Sequence, residues 1–161
     1  MKFNIKDPGS ALTHFIAMIL AGIAAVPLLL KALRSSGRFC MAALAVFIVS
    51  MILLYAASTI YHTFDISEHV NRILRKIDHM MIFILIAGTY TPVCLIVLGN
   101  PVGYRLLATV WTIAVGGIIY ALKLPLFNSR HKYFGSHEIF HLFVMGGSFC
   151  HYVMMFRYVA A

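Results

Sequence analysis

The sequence predicts an all-α fold, a polytopic transmembrane helical bundle of five spans forming one domain over residues 1–161, and three observations carry that expectation. Of the 161 residues, 61% are hydrophobic and only 11% are charged. The mean hydropathy is +0.90, more apolar surface than a soluble chain of this size can enclose. The apolar residues also fall into runs close to the ~20 that a membrane-crossing helix requires.

The first span is expected over 10–31: Ser10 to Leu30 carries no charge, a stretch longer than the ~7 to 15 residues of a signal-peptide core, so it reads as a retained helix. Ser35, Ser36 and Gly37 break the pattern before a second span over 39–62. The polar connector Asp65 to Lys76 leads into a third over 78–99. Pro92 is expected to kink that helix and free backbone groups, so that "GTYTP", 88 to 92, lines a cavity. Gly99, Asn100 and Pro101 precede a fourth span over 103–124, and Pro125 to Gly135 precede a fifth over 136–159. Cys40, Cys94 and Cys150 lie far apart inside apolar runs, which suits small buried hydrophobes and excludes a disulfide framework.

The net charge of +8 would suggest nucleic acid in a soluble protein. Here the cations flank apolar runs, where they set topology and meet anionic lipid headgroups, so membrane lipids and no nucleic acid are the expected partners. Alternating the spans places eight of the 13 Lys and Arg residues on the side of the N-terminus and the 63–77 and 123–135 loops. That side is expected to be cytoplasmic. All five acidic residues and seven of the eight histidines gather there as well, with His151 alone opposite.

Several of these polar residues fall within span ends, where an unpartnered side chain is costly. His137 and His141 are four apart and share one helical face, a spacing that suits two imidazoles on one metal ion, with interfacial or capping histidines as the alternative. His62 arrives at the same depth from the second span, with Ser58 one turn before it and able to donate a hydrogen bond to a bound group. Asp78 supplies a carboxylate at that level from the third. Three histidines with one open position form a catalytic zinc arrangement, in which a carboxylate orients water or shuttles its proton. Glu138 points away from the histidine face, His14 is expected at the interface, with a supporting contact to the site as the alternative, and His69, His79 and His131 are expected to be solvated or to face elsewhere. The tyrosines near span ends, Tyr61 among them, read as an aromatic belt.

"STIYH" (58–62), "KIDHMMIFILIAGTYTP" (76–92) and "HEIFHLFVMG" (137–146) strongly resemble the bacterial hemolysin III family of inner-membrane proteins. That family is related to the progestin and adiponectin receptor superfamily and more distantly to alkaline ceramidases. The resemblance implies a zinc ion (Zn2+) held by His62, His137 and His141, with Asp78 and Ser58 as partners of a bound water. It implies a multi-pass protein of the inner (plasma) membrane with a cytoplasmic N-terminus, and a zinc-dependent hydrolase of lipid-like amides or esters. The family name also implies a pore-forming, cytolytic protein, and the receptor branch a structural zinc. Seven spans are the family pattern, and "TIAVGGIIYALKLPLF", 112–127, looks like the start of one family helix joined to the end of a later one. A bundle lacking two helices implies a homo-oligomer that covers the gap, or a shortened, inactive relative. Where relatives carry a glutamate this chain has Asp7, whose role the resemblance leaves open.

Overall fold

The computed structural model describes residues 5–128. Helix α1 spans Pro8–Thr63, α2 spans Glu68–Pro92, a π-helical segment follows over Val93–Leu98, and α3 spans Pro101–Asn128. A straight helix of 56 residues would hold its ends about 80 Å apart. Yet the Asp7 N–H donates to the His62 carbonyl at 2.9 Å, so α1 doubles back on itself. The pairing of residue 14 with 58 and of 7 with 62 centres the fold-back near residue 36, within the expected Ser35, Ser36 and Gly37 break. Serine and glycine neighbours are where helices bend most sharply.

The two arms, Pro8–Arg34 and Arg38–Thr63, match the first two expected spans, and Glu68–Leu98 and Pro101–Leu122 are also long and apolar enough to cross a membrane. Five spans were expected and four stand among the described residues. The fifth, 136–159, lies outside them, and so do His131, His137, Glu138, His141, Cys150 and His151. Ala11, Ala21, Ala32 and Ala43 are buried while Leu12, Phe15, Ile16, Leu20, Ile23 and Val26 point outward. Small residues inward and large apolar residues outward are the pattern of helices packed in lipid.

The helix that carries the third expected span begins ten residues ahead of it. It starts at Glu68, where the Ser67 side chain caps the first turn by accepting the Val70 N–H at 3.3 Å, and only four residues separate it from α1. Hydropathy marks where a helix meets lipid, whereas the cap marks where its backbone begins. At 31 residues Glu68–Leu98 runs about 46 Å, longer than the ~30 Å hydrocarbon core, so its charged first turns stand beyond the apolar layer.

Pro92 does interrupt the helix, since α winding gives way to π winding at Val93. Within "GTYTP", Gly88, Tyr90 and Thr91 are buried in contacts among the described residues. Phe83, Ala87, Tyr90 and Cys94 pack with Val110 and Ala114 of α3. The Thr91 hydroxyl donates to the Ala87 carbonyl at 2.8 Å and accepts the Trp111 Nε1–H at 3.2 Å, so the buried polar atoms are paired. Gly99, at φ +52, ends the segment in the left-handed conformation that glycine adopts without strain. Asn100 then caps α3, its Oδ1 accepting the N–H groups of Val102 and Gly103 at 2.9 and 3.0 Å, with Pro101 in the first helical position that suits it. The helix continues to Asn128, past the expected end at 124 and through Pro125.

Candidate functional site

The site is built where the two ends of α1 meet. Aspartate is a preferred N-cap, yet the Asp7 side chain makes no capping bond to its own helix. Its Oδ2 instead accepts from His62 Nδ1 at 3.0 Å, from the last turn of the second arm. The Asp7 N–H in turn satisfies the His62 carbonyl, one of the orphan acceptors of a helix end. One turn deeper, His14 Nδ1 and Ser58 Oγ lie 2.7 Å apart. The His14 ring sits 6.0 Å from that of His62 and 5.8 Å from that of Tyr55. His14 is therefore part of the cluster through its contact to buried Ser58, the alternative reading of its place at a span end.

This geometry gives each group a chemical role. With the Asp7 carboxylate accepting from Nδ1, the proton lies on that nitrogen and Nε2 is the ring atom this contact leaves open. A carboxylate behind an imidazole is the arrangement that orients metal-ligating histidines and raises their basicity, so His62 fits a zinc ligand. Ser58 Oγ is engaged by His14 before any bound group reaches it. The close approach of Gly88 to Ser50 fixes an antiparallel register between the second arm and α2. Carried along both helices at equal rise, it sets Asp78 opposite residue 60, within a turn of His62, and Asp78 is half-buried there. Among the described residues no three His, Cys, Asp or Glu side chains converge as a complete metal centre. Two of the three expected ligands, His137 and His141, lie outside those residues.

The sequence alone did not pair Asp7 with His62 or His14 with Ser58. The signal was present in the spacing: 7 and 14 lie on one face of the first arm, 58 and 62 on one face of the second, and a hairpin turning near 36 brings those faces together.

The family model described as haemolysin-III related matches residues 3–132 and 114–152. This chain belongs to the haemolysin III family. It is 40% identical over 121 residues to Hemolysin-3 of Bacillus cereus, covering 75% of this chain and 55% of that protein. It is 39% identical over 121 residues to the Hemolysin-3 homolog of Bacillus subtilis (strain 168), covering 74% of this chain and 56% of that protein. The chain thus spans about half the length of the curated haemolysin III relatives it matches. No solved structure matches it. With four apolar helices of spanning length, this member of the family is a multi-pass membrane protein.

Proposed function

We propose that the chain carries a zinc site of His62, His137 and His141 and acts as a hydrolase on an amide or ester bond of a lipid-like substrate. The observation that supports this reading is the 3.0 Å contact between Asp7 Oδ2 and His62 Nδ1, which prepares Nε2 as a ligand. Zinc, when bound, supplies Lewis acidity and lowers the pKa of a coordinated water toward ~7. In this reading the Asp78 carboxylate accepts the proton given up by the attacking water and delivers it to the leaving amine or alcohol. Ser58 holds His14 in place at the wall of the site. The cation asymmetry supports a cytoplasmic N-terminus in a bacterial inner membrane. The two matched stretches share residues 114–132, which supports a junction of two family helices there. A second copy of this chain would cover the wall left open by that junction.

The test is zinc stoichiometry of the detergent-purified protein beside the His137→Ala, His141→Ala double variant. The parent is expected to retain about one zinc per chain and the variant none. Absence of zinc from both would overturn the site, and release of fatty acid from defined ceramide-like lipids would then test hydrolysis.

A cytolytic reading draws support from the relatives' names, Hemolysin-3 and Hemolysin-3 homolog. Under the zinc reading, liposomes carrying the protein stay sealed to a trapped dye. Leakage that persists in His62→Ala would favour the cytolytic reading.

A further inference from the structure

We propose that a basic cleft beside the start of α2 binds the phosphate of an anionic membrane lipid. The cleft has a volume of about 320 Å³ and is lined by Lys6, Tyr61, Glu68, Asn71, Arg72 and Arg75. Residues 68, 71, 72 and 75 are spaced along one face of α2, while Lys6 and Tyr61 come from the two ends of the α1 hairpin. Three helix ends thus converge on three cations and one acid.

The cations are held but not neutralised. The Lys6 ammonium lies 3.7 Å from the centroid of the Tyr61 ring, a cation–π contact that fixes its position and leaves its charge in place. Arg72 approaches Glu68 at 3.6 Å, but the Glu68 side chain is 94% exposed, so water screens the pair and leaves the guanidinium able to take a stronger anion. Among the described residues Arg75 has no carboxylate within ion-pair reach. Asn71 keeps the rim in shape: its Nδ2 donates to Asp65 Oδ1 at 2.6 Å and its Oδ1 accepts the Ile66 N–H at 3.3 Å, tying the interhelical loop to α2. Two arginines and a lysine around one opening suit the bidentate and point-charge recognition of a phosphate group.

The surroundings favour a lipid over a free anion. In the register set by Gly88 and Ser50, residue 76 falls opposite His62, so 68–75 project beyond the end of the second arm, at the level of headgroups. Ile77, which falls inside the span end in the same register, is exposed, where acyl chains would lie. A basic pocket beside an apolar wall at a span end has the form of a headgroup site.

The experiment measures thermal stability and retained lipid of the full chain in neutral detergent. The probes are phosphatidic acid, phosphatidylcholine of the same chain length, and inorganic phosphate. Phosphatidic acid is expected to bind the parent at least about tenfold tighter than phosphatidylcholine, and to lose about tenfold or more in Arg72→Ala, Arg75→Ala. The control Arg34→Ala, Arg38→Ala removes equal charge at the turn of the α1 hairpin, the end away from the cleft, and is expected to keep the parent's affinity. Arg72→Lys, Arg75→Lys retains the charge and is expected to keep most of the binding, which separates loss of the site from loss of fold. Equal weakening in both alanine pairs, equal binding of phosphatidylcholine, or stabilisation by inorganic phosphate as large as that by the lipid would each overturn the proposal.

Discussion

Gly103→Ala is expected to destabilise the protein by about 2–3 kcal/mol, although alanine is the better helix former. A Cβ at this position would stand 2.5 Å from the Cys94 carbonyl oxygen and 2.9 Å from Leu98 Cβ. The obstacle is backbone held by the π segment, so no rotamer change relieves it, and α3 must move off the core it forms with Phe83, Ala87 and Tyr90. Gly88→Ala meets a different obstacle, the Ser50 side chain, whose Cβ would lie 2.8 Å away. Ser50→Gly is therefore expected to recover much of the loss in Gly88→Ala and none of it in Gly103→Ala. Reversible unfolding in mixed micelles, followed by circular dichroism, reads both. Rescue of Gly103→Ala by Ser50→Gly, or a neutral Gly103→Ala, would refute the packing described here.

Under the proposed zinc reading, Asp7→Ala is expected to weaken zinc binding by about tenfold to a hundredfold, with the metal still present at saturating concentration. The Asp7 carboxylate holds the His62 Nδ1 proton and hence the orientation of Nε2, and its loss frees the ring to turn and to exchange tautomers. Asp7→Asn keeps an acceptor oxygen without the charge and is expected to fall between the parent and Asp7→Ala. Competition against a chelator of known affinity gives the numbers. An affinity identical in all three proteins would separate Asp7 from the metal site and leave its contact as a hairpin lock alone.

Hydropathy made the two arms of α1 legible to within a few residues, because lipid-facing surface is what it measures. The start of α2 escaped it: Glu68 to Ile77 is helical but mixed in polarity, and its boundary is written in the Ser67 cap. The end of α3 was missed because Pro125 reads as a breaker, whereas the helix passes it within its last turn. His62 and Asp78 were singled out from their places at span ends, and the helix register sets Asp78 within a turn of His62. Asp7 and His14 could be assigned only once the hairpin register was known, since their partners are 55 and 44 residues away. Tyr61 shows the same limit, for its place at a span end suggested a lipid anchor and said nothing of the lysine stacked on it.

The contact between Asp7 and His62 also has a mechanical side. Tension on the chain ahead of Pro8 reaches one backbone bond and one side-chain bond before it loads any helix. The Asp7 side chain is 53% exposed, so water competes for it and the clasp is the part of the hairpin most readily opened. Opening it unfolds no span but releases the imidazole of His62. The N-terminus is thus a handle on the candidate site, and a bulky fusion placed there would pull on His62 from the outside.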